Sequence, residues 1–465
     1  MQEGKRHESV LGRDAVNRKS LLDGSSLSRR DFLRLSGTGI AGTLLLGGVS
    51  CGGGQGSSKT LTYWASNQGA TMNEDRRLIG EAVKDFKKQT GITVNFKVIS
   101  WADLWTKITT AVTSGQGPDV LNIGNTWAAS LQATGAFVPF DQGALNTVGG
   151  KGKFVPAAFA ASGAPGKTPT SVPLYGLSYA LFYNKAMFQE AGIGSPPKTW
   201  DEFLAIAKEL TNPPGRWGLG VEGASITENS HWAFILGQQQ GGSLFNGNKP
   251  TFDSPENVRA VKQYVDFVGK DKVAAPQNAQ YSTGTQAPTD FANKKVAMIM
   301  FQTNTMNVLK SAGMKEGEYG VSDVPIPASL PAGGEPIMSH TAGINLSIFK
   351  NTQNMDEALK FVEFMTSKDQ QAKLNQDYVS IPVTEVVAKE PAFETGKLAV
   401  FDNVYAHHSA PMPRIKDEAQ METLIGGAIK RLFAKAASSG TVTEGDVKSE
   451  LAAANQKMAA SSGGG

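Results

Sequence analysis

Leu61 to Leu121 reads LTYWASNQGATMNEDRRLIGEAVKDFKKQTGITVNFKVISWADLWTKITTAVTSGQGPDVL, and its pattern decides the fold class. Leu61 and Tyr63 open a strand. Thr71 and Glu74 have capping-box spacing, and Leu78, Ile79, Val83 and Phe86 then recur at helical intervals until Gly91. Val94, Phe96 and Val98 alternate as a half-buried strand. Leu104, Ile108, Ala111 and Val112 line one face of a second helix, and Val120-Leu121 begins another strand. This β-α-β-α-β order predicts a mainly parallel sheet, because parallel neighbours need a crossover and the crossover helix covers the sheet.

Further along, Thr199-Trp200-Asp201-Glu202 is a second capping box, with Phe203, Leu204, Ala207 and Leu210 following at helical spacing. Asn212-Pro213-Pro214-Gly215 ends that helix. Lys295 to Met300 and Ala342 to Phe349 read as strands, and Asp356 to Thr366 reads as a helix burying Ala358, Leu359, Val362 and Met365. Gly320 to Pro327 is extended and punctuated by proline, and it is expected to cross between lobes. No internal repeat is visible.

Ahead of this body lies a leader. Arg29 and Arg30 sit in S-R-R-D-F-L-R (Ser28 to Arg34) and precede a weakly apolar run from Leu35 to Val49. That run is shorter than the roughly 20 apolar residues of a membrane span, so residues 1–50 read as a twin-arginine export signal. Cys51, the chain's only cysteine, resembles the cysteine of a bacterial lipobox. It follows Val49 and Ser50, with Gly48 where leucine is favoured. The expected product is anchored through lipid to the outer face of the cell membrane. Gly37, Gly39 and Gly42 match G-x-G-x-x-G, but no strand feeds them, so they carry no dinucleotide site. Residues 51–58 are a glycine/serine linker, and residues 459–465 are expected to be a loose tail.

The first 50 residues hold 8 of the 45 basic and 5 of the 42 acidic side chains, so the rest of the chain is balanced at 37 each. A neutral body without a basic stripe argues against nucleic acid. With Cys51 used as the anchor, disulfides, thiolate zinc sites and a cysteine nucleophile are excluded.

Six stretches in order resemble the solute-binding proteins of bacterial carbohydrate ABC importers, the class that includes maltose-binding protein. They are G-Q-G-P-D-V (Gly115 to Val120), Phe182-Tyr183-Asn184-Lys185, P-P-K-T-W-D-E (Pro196 to Glu202), Val296-Ala297-Met298, G-V-S-D-V-P-I-P (Gly320 to Pro327), and A-G-I-N (Ala342 to Asn345) before a helix ending in Met365-Thr366-Ser367. The resemblance implies a two-lobed α/β periplasmic-binding-protein fold of type II, each lobe a mainly parallel sheet flanked by helices. The lobes would be joined by a hinge of crossing strands. Lobe 1 would comprise residues 59–176 with about 326–372, and lobe 2 residues 177–325 with about 373–458. Most of the matching residues are structural: Pro196 to Glu202 caps a helix, and Pro118-Asp119 orients a loop.

Sugar binding needs aromatic faces against pyranose C–H surfaces, and amides or carboxylates for the hydroxyls. In an open α/β sheet such groups lie on loops after the strands. Trp64, Ser66, Asn67 and Gln68 follow the first strand, Trp101 and Asp103 the second, and Asn125, Thr126 and Trp127 the third. The resemblance places all of them on the ligand side of lobe 1. In lobe 2, Glu228, Asn229, His231 and Trp232 correspond to a family segment with an acidic residue and an aromatic platform. Tyr175 and Tyr179 flank the first hinge crossing. Gln302 and Asn304 stand where many relatives place a tryptophan, and His340 precedes the Ala342 strand.

None of these loops contains lysine or arginine, which favours a neutral sugar over a polyol phosphate. Several aromatic platforms favour a di- or oligosaccharide over a monosaccharide. A secreted glycan hydrolase is the remaining alternative, but there is no G-x-S-x-G and no H-E-x-x-H, and four histidines follow the leader. His407-His408 is the one pair reminiscent of a metal site, without a carboxylate set beside it. The expectation is therefore a monomeric, non-enzymatic sugar receptor without cofactor or metal, partnered by a permease and its cytoplasmic ATPase.

Overall fold

The structure is a computed structural model, and it describes residues 60–462. The twin arginines Arg29 and Arg30, Cys51 and the linker 51–58 lie outside the described residues. Among the described residues no helix is long and apolar enough to cross a membrane.

Two sheets organise the chain. Strands β1 (Thr60–Ser66), β2 (Thr93–Ile99), β3 (Val120–Gly124), β4 (Val172–Leu177) and β9 (Ala342–Ile348) form the first, in the order β2-β1-β3-β9-β4. Strands β5 (Tyr179–Asn184), β6 (Trp217–Gly220), β7 (Val296–Gln302) and β8 (Tyr319–Ser322) form the second, in the order β8-β5-β7-β6. Each sheet carries an apolar core on both faces. Tyr63, Phe86 and Phe361 lie on one side of the first sheet, and Leu104, Leu121 and Phe137 on the other. Trp232 and Phe433 belong to one core of the second sheet, and Phe182 and Phe401 to the other. The architecture is the expected two-lobed α/β fold.

The sheets are mixed rather than mainly parallel. β1 runs parallel to β2 and β3, but β9 is antiparallel to both β3 and β4. In the second sheet β6 and β7 are parallel, while β5 is antiparallel to β7 and β8. The cause is chain entry. β5 and β9 each arrive from the other lobe and run away from the hinge, whereas their sheet neighbours run toward it. The remaining strands all end at the hinge side, the side on which an open α/β sheet places its binding loops.

Local signals set the helices. Helix α1 (Met72–Thr90) begins where the Thr71 side chain accepts from the Glu74 N–H, and ends at Gly91 in the left-handed conformation with φ 75°. Helix α2 (Trp101–Ser114) follows β2. Helix α3 (Trp200–Glu209) carries the full reciprocal capping box between Thr199 and Glu202. Helix α4 (Ile226–Gln239) is buried from Asn229 through Gly237, as a helix enclosed by its own lobe must be. Helix α5 (Glu418–Ser439) packs along α4. The last helix, α6 (Glu444–Ser462), runs through Ala459–Ser462, so those residues are helical rather than part of a loose tail.

The crossing from the second lobe comes later than the extended stretch Gly320 to Pro327. The Ile326 N–H donates to Lys198 O, Met338 packs in the second lobe's core, and the chain enters the first sheet only at Ala342. Residues 326–338 thus stay on the second lobe. Conversely Leu374 and Tyr378, expected in lobe 2, pack in the first lobe's core. Asp119 has the structural role read for it: its carboxylate accepts from the N–H and hydroxyl of Thr62, the hydroxyl of Thr352 and the amide of Asn354.

Candidate functional site

The turn after β3 and the first turn of α2 bring three indoles together. Trp101 and Trp127 meet edge to face with centroids 5.5 Å apart, and Trp105 meets Trp127 at 5.2 Å. All three are half-buried against the apolar cluster under α2. Trp105 was not among the residues picked from sequence. Its signal was the i, i+4 spacing from Trp101, which puts both rings on one helix face.

A polar chain leads from these rings into the second lobe. The Trp127 Nε1–H donates to Glu422 Oε2 at 3.3 Å. The other oxygen of Glu422 lies 3.7 Å from His231 Nε2. His231 Nδ1 is 2.9 Å from the Tyr179 hydroxyl, which in turn is 2.9 Å from Glu228 Oε2. A phenol has one proton, so Tyr179 donates to Glu228 and receives from His231 in one consistent assignment. His340 stacks on His231 with ring centroids 3.8 Å apart. Beside the hinge, Asn125 Nδ2 donates to Thr341 O at 2.8 Å.

Burial dominates the electrostatics here. It pushes the Glu228 carboxyl up to about 7, against the opposing pull of His231 and the Tyr179 hydroxyl. It holds Glu418 well above the usual carboxylate range, helped by Glu422, while Arg414 acts the other way. His340 is kept well below the ordinary imidazole value by burial and by His231. The consequence for Glu228 has a definite sign. Between its ordinary value of 4.5 and about 7, the folded chain retains a proton that the unfolded chain has released. Folded stability therefore falls as pH rises through that window. Relative to Glu228→Gln, the wild type should lose about 1–3 kcal/mol between pH 5 and pH 8. Urea denaturation at both pH values measures it, and a pH-independent difference would show that Glu228 does not titrate there.

The other expected site residues divide into two groups. Thr126 is half-buried beside Trp127, Gln302 is half-buried at the end of β7, and Asn304 is half-buried in the turn after it. Trp64 and Asp103 line a surface groove along the edge strand β2, with Met72, Phe96 and Val98. Trp64 thus lies on a strand rather than in a loop.

The second group serves the scaffold. Ser66 is buried and accepts from Asn122. Asn67 Oδ1 accepts from the Trp101 N–H and so holds the start of α2. Gln68 is buried, and its backbone N–H donates to Asp75. Asn229 is enclosed, donating to Gly223 O and Gly426 O. Tyr175 is 1% exposed with its ring against Tyr378, so it belongs to the core. Trp232 is the main correction. It is 2% exposed and packs between Tyr179 and Tyr264, so it presents no face to a ligand. The apolar run Ala233-Phe234-Ile235-Leu236 directly after it was the signal of an enclosed helix.

Glu418 and Glu422 were missed altogether. They lie one helical turn apart at the start of α5, after the segment Pro411–Pro413, and both are buried. The assembled groups are indoles, carboxylates, imidazoles, a phenol and amides. They offer stacking surface and hydrogen-bond acceptors of the kind that a hydroxyl-rich ligand uses.

A family model described as bacterial extracellular solute-binding protein matches residues 69–372. A binding protein of Brucella abortus (strain 2308) is 29% identical over 313 residues, covering 66% of this chain and 73% of that one. The maltotriose-binding protein of Pyrococcus abyssi is 25% identical over 335 residues, covering 71% and 69%. Among solved structures, an ABC transporter solute binding protein of Thermotoga lettingae bound with alpha-D-tagatose superposes with a TM-score of 0.73. Its identity is 25%, over 86% of this chain and all of the other.

Proposed function

Because the chain belongs to the bacterial extracellular solute-binding protein family, we propose that it is the receptor of an ABC importer and binds a neutral sugar between its lobes. The observation that carries this reading is the indole cluster Trp101, Trp105 and Trp127, set beside the second lobe's Glu422. Three clustered rings supply stacking surface for more than one pyranose, which favours a di- or oligosaccharide. Glu422 and Glu228 stand on the path between the lobes, and carboxyl oxygens suit hydroxyl donors better than a phosphate.

Capture proceeds by hinge closure. A sugar that touches both lobes binds the closed form better than the open one, and shifts the population by that difference. A permease then recognises the closed form. Export by the twin-arginine signal and lipidation at Cys51 would keep the receptor beside that permease. Fatty-acid labelling that persists in Cys51→Ala would sink the anchor.

A thermal-shift screen tests the binding reading, with maltose, maltotriose, diacetylchitobiose, monosaccharides and glycerol 3-phosphate as arms. A ligand at 100 times its dissociation constant stabilises by about 2.7 kcal/mol. The expected result is a shift with a di- or oligosaccharide, together with a smaller radius of gyration by X-ray scattering. A shift with glycerol 3-phosphate alone would overturn the neutral-sugar reading.

A further inference from the structure

Trp127 and Glu422 belong to different lobes. The indole sits on the turn after β3 of the first sheet. Glu422 rides on α5, whose neighbouring Met421, Ile425 and Ile429 are built into the core of the second lobe. Nevertheless the indole N–H and the carboxylate pair at 3.3 Å. A second interlobe bond lies beside it, where the Ala419 N–H donates to Ser130 Oγ at 3.3 Å. Glu422 is 6% exposed, so water competes little for its oxygens. The ring it holds is the one that contacts both Trp101 and Trp105.

We propose that Glu422 is a positioning residue that latches the lobes through the Trp127 indole, so that the three-ring platform takes its final orientation only as the lobes meet. This rests on the reading of the cleft as a sugar site, and it deepens that reading. The platform is completed by the opposite lobe, so stacking on it and closure become one event. Nothing on the first lobe need change shape by itself. The neighbouring groups Tyr179, Glu228, His231 and His340 form the wall against which the Glu422 carboxylate is held.

Because the latch contributes to closure with or without sugar, the closed fraction of the sugar-free protein already reports on it, and the test needs no sugar. Full-length protein is measured by X-ray scattering and tryptophan emission as wild type, Glu422→Gln, Glu422→Leu and Trp127→Phe. Glutamine keeps an oxygen that accepts the indole N–H, and should match the wild type. Leucine removes the acceptor, and phenylalanine keeps a ring without the donor. Both should enlarge the radius of gyration, and the double variant Trp127→Phe/Glu422→Leu should expand no further than either alone. Leucine should also red-shift the emission. A merely structural Glu422 would give Trp127→Phe the compactness of the wild type, and that result overturns the latch. If Glu422→Leu does not fold, the comparison of Trp127→Phe with wild type decides alone. Failure of every sugar arm in the thermal screen would remove the ligand reading while leaving this result standing, so the two failures are distinguishable.

Discussion

Replacing Trp232 with alanine should lower the free energy of unfolding by about 3–5 kcal/mol, the range for truncating an enclosed tryptophan. The side chain is 2% exposed, meets Tyr179 edge to face at 5.2 Å, and lies 6.0 Å from Tyr264. It sits on α4, which is enclosed by its own lobe. Truncation therefore opens a cavity that rigid neighbours on several elements cannot close. Trp232→Phe should cost less, because a ring still fills most of the volume. Urea denaturation with the slope held constant measures both. A fully stable alanine variant that had lost sugar affinity would reverse the assignment and return Trp232 to the site.

Trp127→Ala should show the opposite profile. The ring is half-buried, so stability should fall by only about 1 kcal/mol, less than in Trp232→Ala, while affinity for the sugar found in the thermal screen should fall about thirtyfold or more. A central aromatic anchor removed from a binding site typically costs 2 kcal/mol or more. The loss combines the missing stacking face with the missing donor to Glu422. Isothermal titration beside a denaturation curve separates the two quantities. Unchanged affinity in a folded Trp127→Ala protein would move the ligand site away from the indole cluster. Together the two tryptophans form a contrast that one experiment series resolves: one residue should lose stability, the other should lose binding.

Sequence reading succeeded where the signal is local. The helix starts at Thr71 and Thr199 were legible because a cap is a bond between residues three apart, and the chain itself guarantees that proximity. The strand-helix alternation from Leu61 to Leu121 was legible for the same reason, since the period of the apolar residues is a local property. Asp119 was correctly read as a loop organiser, although its partners Thr352 and Asn354 come from far along the chain.

The site was harder. Trp101, Trp127, Glu228 and His231 were picked from sequence and do converge, directly or through Tyr179 and Glu422. Trp232, Tyr175 and Asn229 have the right chemistry but are enclosed. The apolar run after Trp232 marks an enclosed helix, but nothing local marks Trp127 as facing the other lobe, because its partner Glu422 comes from far along the chain. Trp64 packs against the same apolar cluster as the three indoles and also lines the groove along β2.

What the amino-acid order determined by itself was the list of elements, their caps, the balanced charge and the ordered stretches that mark the family. Only the tertiary structure decided the direction of β5 and β9, the crossing point near Ala342, and the pairing of Trp127 with Glu422, which stand 295 residues apart. The physical reason is range. Caps and periodicity arise from bonds within a few residues, whereas strand direction follows from which lobe a strand enters. Likewise the burial of a side chain depends on what another part of the chain lays over it.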